Sequence, residues 1–322
     1  MGWWKVSADT LAASRFVISP LAETTASLMT LERGTGSHPG VREWFDRHRP
    51  AYRERLAGDP VTALALRTAL GRTWIADFLT PAPHGDGDRS FPDELATIRD
   101  TPPEAVLGDL QISLGGPLPA ALQRPDLAVR LAALLEWVWT ETVRPDWPRR
   151  RRVLEADVLT RVARLGRGGW VAALEGMRPD LRWLGDSRLQ INAHRFPPRD
   201  ISTAQMLFVP VTPGHGWASW DEPHRYALTY ACAGVLAEAS RAHVPAALSA
   251  LIGPGRARVL TLLDTPKSTT QLVALTGLPL GSVGRHLHIL LDSGLAQRRR
   301  VGRSVLYTRT PPGDVLITTM RP

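Results

Sequence analysis

Residues 267–310 read KSTTQLVALTGLPLGSVGRHLHILLDSGLAQRRRVGRSVLYTRT. The residues before Thr269 lead into a capped helix, since Ser268 is of a type favoured at the position just before a helix. Gly277 comes after the apolar residues of this helix, and glycine readily adopts the left-handed backbone that ends helices. The pattern therefore predicts a helix that begins at Thr269 and ends at Gly277, with an earlier helix over residues 251–263.

A second helix of the pair is predicted over residues 280–293. Its apolar residues recur at helical spacing on one face, which leaves Ser282, Arg285 and His288 on the other. Two strands follow, joined by a tight turn at residues 302–303. This order of helices and strands predicts a winged helix-turn-helix, in which the second helix enters the major groove of DNA and the wing lies along the backbone.

Charge is concentrated at the same end of the chain. Residues 245–322 contain ten Lys and Arg against three Asp and no Glu, which is +7 of the total +8. Residues 1–244 are nearly neutral at +1. A local excess of this size indicates a module that binds a polyanion, and double-stranded DNA is the expected partner.

The residues over 269–310 resemble the winged helix-turn-helix of bacterial regulators of the arsenical-repressor (ArsR) type. The match rests on Thr276-Gly277-Leu278, Arg285-His286-Leu287, Gly294-Leu295 and the wing at 302–307. On the residues at 15–21, 77–81 and 155–158, the whole chain further resembles a subgroup in which a long N-terminal domain precedes the winged helix. The resemblance implies a bacterial regulator of transcription, but it does not distinguish a repressor from an activator. The low cysteine content suits a reducing cytoplasm, where the protein is expected to act.

The residues expected to contact DNA combine the helix pattern, the charge and the resemblance. They are Ser268, Thr269, Gly281, Ser282, Arg285, His286, His288, Arg298, Arg299, Arg300, Arg303 and Tyr307. Because one winged helix covers only half of a two-fold operator, we expect a homodimer on an inverted repeat.

Two departures from the resembled family concern metals and the dimer. Its metal sensors carry a Cys-x-Cys pair before the recognition helix, whereas Cys232 is the sole cysteine of this chain, so no thiolate metal site and no cofactor are expected. Only nine residues follow Gly313, which we interpret as too few for the metal-binding helix that other members have after the wing. The dimer interface is therefore expected near Ala246 to Leu251 or in the large domain.

The large domain, residues 1–244, is predicted to be mostly helical with a β-rich end. Ser19-Pro20 is a helix start, and alternating residues between 181 and 230 indicate strands. The domain boundary is placed near Pro245, because all eleven Trp precede it. The expected fold is thus α+β, with an N-terminal regulatory or oligomerisation domain over 1–244 and a DNA-binding domain over 245–322.

Aromatic and polar residues near the β-rich end suggest a pocket for an organic effector. The residues expected to form it are Trp183, His194, Arg195, His215, Trp217 and Trp220. The alternative interpretation is that these are core or surface aromatics of a structural domain.

Other classes of protein find less support. The apolar runs are shorter than the 18 residues that a membrane helix needs, and no signal-peptide core is present, so neither membrane insertion nor export is expected. The sequence has no phosphate-binding loop, nucleophile elbow or dinucleotide fingerprint, so we expect no catalytic residues and no enzyme. An enzyme or protein-interaction module with an appended nucleic-acid-binding domain remains the alternative.

Overall fold

The computed structural model describes residues 2–34, 39–71, 73–84, 89–194, 196–232, 244–264, 266–301 and 304–320. Most helices precede residue 175 or follow residue 245, and strands dominate the interval between 182 and 231, so the predicted α+β class is confirmed. Within the described ranges no helix combines the length and the apolar character needed to cross a membrane.

The chain divides into two units. Unit 1 consists of Met1–Ser37, Val41–Pro148 and Leu174–Cys232, and unit 2 consists of His38–Gly40, Arg149–Ala173 and Ala233–Pro322. Residues 149–173, which were predicted to belong to the N-terminal domain, are grouped in the structure with the C-terminal residues.

The second helix of the N-terminal region begins, as predicted, with a cap at Ser19. Ser19 Oγ accepts a hydrogen bond from the backbone N–H of Ala22 at 2.9 Å, Pro20 occupies the first turn, and Gly34 ends the helix at φ 72°. Most of this helix is buried, including Glu23. The α-helices described before residue 145 are α1 (Ala8–Ala12), α2 (Pro20–Arg33), α3 (Pro39–Ala57), α4 (Pro60–Ala69), α5 (Phe91–Arg99), α6 (Pro103–Leu114) and α7 (Leu127–Val138).

Two four-stranded sheets complete unit 1, in the orders β3-β4-β1-β5 and β2-β6-β8-β7. Their strands are β1 (Gly2–Lys5), β2 (Arg15–Phe16), β3 (Arg182–Gly185), β4 (Arg188–Asn192), β5 (Arg199–Asp200), β6 (Gln205–Val211), β7 (Trp217–Asp221) and β8 (Arg225–Ala231). The strand β1 pairs antiparallel with β4 and parallel with β5. The first residues of the chain are therefore joined to residues almost 200 positions later.

Unit 2 contains most of a long helix, α8 (Trp147–Leu174), and the C-terminal elements. The helical backbone of α8 is interrupted at Gly168 and Gly169, where Gly169 has φ 66°, a conformation that glycine adopts without steric cost. The remaining elements are α9 (Ala246–Ile252), α10 (Pro254–Leu262), β9 (Lys267–Ser268), α11 (Thr269–Thr276), α12 (Leu280–Asp292), β10 (Ala296–Val301), β11 (Ser304–Arg309) and α13 (Pro311–Thr319).

A hydrophobic core joins the C-terminal elements of unit 2. Leu260 of α10, Leu272 of α11, Leu287 of α12 and Ile317 of α13 are all buried in it. The strands form one sheet in the order β10-β11-β9. Gly277 has φ 70° and ends α11, as the sequence predicts.

Two predictions about helices in this region were wrong. The helix predicted over 251–263 is split at Gly253, whose φ of 84° separates α9 from α10. A helix does follow the last strand, although its residues were judged too few. Thr310 Oγ1 accepts a hydrogen bond from Gly313 N–H, Pro311 lies in the first turn and Ile317 is buried, so capping and packing support a helix of nine residues.

Candidate functional site

The helix α12 presents two different faces. Val283, Leu287 and Leu290 are buried, because their spacing puts them on one side of the helix against the core. Arg285 and His288 lie on the exposed side. The predicted residues Gly281 and Ser282 are also in the first turns of α12, exposed and half-buried respectively.

His286 is set apart from these exposed neighbours. Its ring lies against Gly255 of α10, where a Cβ on residue 255 would come within 2.5 Å of His286 Nε2. Burial lowers the pKa of His286, and the nearby Arg256 and Arg285 lower it further. The geometry gives His286 a packing contact between α10 and α12.

The hairpin of β10 and β11 carries a run of positive charge at the C-terminal end of unit 2. Arg298, Arg299 and Arg300 are consecutive and exposed on β10. Arg298 pairs across the hairpin with Tyr307, which is half-buried and packs against the core. Arg303 lies outside the described residues. Three cationic side chains thus extend along one exposed strand.

The start of α11 is a closed hydrogen-bond arrangement. Ser268 Oγ accepts from the backbone N–H of Gln271 at 3.2 Å, and Gln271 Oε1 accepts from the backbone N–H of Ser268 at 2.7 Å. Gln271 Nε2 also donates to Thr160 Oγ1 of α8. Thr269 is half-buried in the first turn. The hydroxyl of Ser268, predicted to contact DNA, is therefore already used as a helix cap.

Unit 1 contains a cavity of about 320 Å³, which we call the aromatic cavity. This volume is at the lower end of the range of roughly 300–1,000 Å³ typical of small-molecule sites. Six of its lining residues are aromatic: Trp3, Trp4, Trp74, Phe196, Trp217 and Trp220. Its polar lining residues include Asp77, Arg178, Asn192, His194 and Arg199.

The cavity brings together only part of the predicted effector set. His194, Trp217 and Trp220 line it. Trp183 and His215 are not among the lining residues, and Arg195 lies outside the described residues. Burial, and to a smaller extent Arg33, lower the pKa of His215 to about 4, so this side chain is a neutral buried imidazole near pH 7.

Sequence reasoning missed several lining residues because they come from distant segments. Trp3 and Trp4 belong to β1, Trp74 and Asp77 precede α5, and Arg199 belongs to β5. The Trp content of the N-terminal region was the one available signal. It indicates aromatic surface but not which tryptophans meet.

Edge-to-face contacts fix the walls of the aromatic cavity. The Trp74 ring lies 5.1 Å from Phe196 and 5.5 Å from Trp220, both in T-shaped geometry. On Trp220, the guanidinium carbon of Arg199 lies 4.0 Å from the ring centroid. Arg199 also forms an ion pair with Glu222. These contacts restrain the rotamers of the wall, because each ring is held by a second group.

Asp77 is the carboxyl group of the cavity wall. Burial, and to a smaller extent the nearby Asp109, raise its pKa to about 6, although Arg199 and a hydrogen bond with the Trp74 side chain act in the opposite direction. Asp109 accepts a hydrogen bond from the backbone N–H of Phe78 at 2.7 Å. Perturbed carboxyl groups in cavities are common at functional sites.

Comparison of the chain with protein-family models, curated proteins and solved structures found no match.

Proposed function

We propose that this protein is a sequence-specific, DNA-binding regulator of transcription of the ArsR-like winged helix-turn-helix type. The observation that carries the proposal is the exposed face of α12, with Arg285 at its centre, on the same small core as the arginine-bearing hairpin. In a winged helix these two elements correspond to the recognition helix and the wing. The residue pattern that resembles bacterial regulators points to the bacterial cytoplasm as the place of action.

The chemistry of α12 suits base recognition in the major groove. Arg285 is exposed and can donate two hydrogen bonds to the O6 and N7 atoms of guanine. Leu280, at the first position of α12, is 62% exposed, and an exposed apolar side chain there suits contact with a thymine methyl group. Leu280 is not among the DNA-contacting residues predicted from the sequence.

The hairpin suits contact with the phosphate backbone. Guanidinium groups bind phosphate through charge-assisted hydrogen bonds, and Arg298, Arg299 and Arg300 follow one another on an exposed strand. Phosphate contacts orient a protein on the duplex without reading sequence. The division between base-reading and phosphate-binding residues therefore follows the two elements.

In this proposal a homodimer places two copies of α12 on an inverted repeat, and the aromatic cavity of unit 1 binds a small-molecule effector. An effector shifts DNA affinity only if it binds the DNA-competent and DNA-incompetent states with different affinities. The size, aromatic walls and few polar groups of the cavity support this role.

Selection of bound duplexes from a random DNA library by the full chain tests the proposal. We expect enrichment of one motif with two-fold symmetry. Arg285→Ala should bind the library but enrich no such motif, and Arg182→Ala, an exposed arginine of β3 in unit 1, serves as the control that should enrich it normally. A wild-type selection without an enriched motif would refute sequence-specific recognition.

A second candidate function is an enzyme with an appended nucleic-acid-binding unit. The observation that favours it is Asp77 in the wall of the aromatic cavity. A carboxyl group with a pKa of about 6 in a cavity has the properties of a general acid or base. Incubation of the protein with a mixture of aromatic metabolites, followed by mass spectrometry, would favour this candidate only if turnover occurs and is lost in Asp77→Asn.

A further inference from the structure

The aromatic cavity has a second property besides its shape: two of its lining side chains have nitrogen donors without partners. Trp4 Nε1 and Arg178 Nη1 are buried and have no hydrogen-bond partner in the part of the chain that the structure describes. Both residues line the cavity. Unpaired buried donors cost free energy, so a group that satisfies both is favoured in the folded protein.

Arg178 is oriented by its other nitrogens. Its Nε and Nη2 donate to the two carboxylate oxygens of Asp180 at 3.2 and 3.1 Å, and its side chain is 14% exposed. This pairing fixes the guanidinium plane and leaves Nη1 as the remaining nitrogen.

The side chain of Trp4 is also held in place, by burial and by an aromatic contact. It is 1% exposed, and its ring lies 5.3 Å from Tyr226 in T-shaped geometry. An indole nitrogen is a donor only, and so is a guanidinium nitrogen. Both unpaired atoms therefore require a hydrogen-bond acceptor.

The charges of the cavity wall restrict the class of ligand less than the two unpaired donors do. Arg178 is paired with Asp180 and Arg199 with Glu222, and Asp77 adds a further carboxyl group to the wall, so net charge alone does not favour an anion. Aromatic walls can also hold organic cations through cation–π contacts. A cation, however, accepts no hydrogen bond and would leave both donors unsatisfied.

We propose that the aromatic cavity binds a flat aromatic carboxylate, with its ring between the tryptophans and its carboxylate accepting hydrogen bonds from Arg178 and Trp4. The inference rests on the effector role proposed for the cavity. It adds the chemical class of the effector and assigns recognition to two residues, neither of which is in the set predicted from sequence. An ionised acceptor forms the stronger bond to guanidinium, which favours a carboxylate over a neutral carbonyl.

Isothermal titration of the full chain, without DNA, tests the proposal with two probes of equal ring size, 2-naphthoate and 2-naphthylmethylammonium. We expect naphthoate to bind one site per chain at least about tenfold more tightly than the ammonium probe, because charge-assisted hydrogen bonds form only with the carboxylate. Tighter binding of the ammonium probe would identify a cation site and overturn the proposal. Absence of naphthoate binding at millimolar concentration would also overturn it.

Two variants locate the binding groups. Arg178→Gln should weaken naphthoate binding about tenfold or more, and Trp4→Phe, which keeps the ring but removes the unpaired N–H, should weaken it roughly two- to tenfold. Trp4→Phe removes a buried donor that has no partner in the described structure, which offsets part of the packing lost with the smaller ring. Wild-type affinity in both variants would refute the assigned contacts.

Matched controls use residues of unit 1 outside the lining set. Arg182→Gln and Trp183→Phe, both on β3, should bind naphthoate as the wild type does. Because the titration contains no DNA, its failure leaves DNA binding unaffected. Conversely, naphthoate binding in a protein that selects no DNA motif would remove the regulatory role and keep the ligand site.

Discussion

Glu94 Oε2 accepts a hydrogen bond from Ser19 Oγ at 2.9 Å. The same oxygen accepts from the backbone N–H of Leu21 at 2.8 Å, so a buried carboxyl group lies at the N-terminus of α2. Burial raises the pKa of Glu94 to about 7, although both hydrogen bonds oppose the shift. Protonation of Glu94 is therefore coupled to the folding of the protein.

The pH dependence of stability follows from this pKa. The folded state retains the Glu94 proton up to about pH 7, whereas the unfolded chain loses it near 4.5, so the free energy of unfolding should fall as the pH rises between these values. The decrease amounts to about 3 kcal/mol at most. Urea unfolding at several pH values should show this fall in the wild type and a flatter profile in Glu94→Gln. The exposed Glu104→Gln is the control, and an unchanged slope in Glu94→Gln would contradict the assignment.

DNA binding should depend strongly on salt. Each phosphate contact releases counterions, so contacts by Arg298, Arg299 and Arg300 predict a slope of about −3 in log affinity against log salt concentration. Fluorescence anisotropy on a fixed duplex measures the slope. Affinity that does not change between low and moderate salt would exclude the electrostatic contacts.

Arg285 and Arg300 should differ in what they contribute. Arg285→Ala should cost about 1–3 kcal/mol on the selected site and little on unrelated DNA, since a base contact is lost. Arg300→Ala should weaken binding to all duplexes alike and reduce the salt slope by about 1. Competition between specific and unrelated duplexes separates the two, and equal losses on both duplexes in both variants would refute the division.

Substitution of two glycines of unit 2 by alanine should change the free energy of unfolding in opposite directions. An added Cβ at Gly284, inside α12, meets no atom within 4 Å, so Gly284→Ala should stabilise the unit by about 0.5–1 kcal/mol. At Gly255 a Cβ would press on the His286 ring, and Gly255→Ala should instead cost about 1 kcal/mol or more. Urea midpoints of the two variants provide the comparison. Recovery in Gly255→Ala combined with His286→Ala would locate the clash, whereas stabilisation by Gly255→Ala alone would rule it out.

The expected dimer can be tested at α9. Leu251 is 60% exposed on this helix, which the sequence analysis names as one interface, so Leu251→Asp should shift a dimer towards single chains. Light scattering of the free protein and of its complex with selected DNA gives the masses. One chain per complex in the wild type would exclude the inverted-repeat arrangement.

Local patterns in the sequence predicted local structure well. Ser19 and Pro20 begin α2, and Gly277 ends α11. These were predictable because helix caps and left-handed turns depend on a few adjacent residues. The faces of α12 followed from apolar spacing alone. These features need no information from distant parts of the chain.

The aromatic cavity could not be predicted in the same way. Trp4 reaches it because β1 pairs with β4, and Arg199 reaches it because β5 pairs with β1. Such pairings join residues far apart in sequence, and β1 is only four residues long. His215 shows the converse error, since a polar residue near the predicted pocket is a buried neutral imidazole outside its lining.

The interleaving of the two units constrains how this chain can be altered by recombination. Residues 149–173 belong to unit 2, but residues 174–232 return to unit 1 before the chain enters unit 2 again. A single crossover near residue 244 would combine α8 of this chain with the C-terminal residues of another protein. Thr160 of α8 would then lose its hydrogen bond with Gln271. Inheritance of the two units as one piece is the expected evolutionary result.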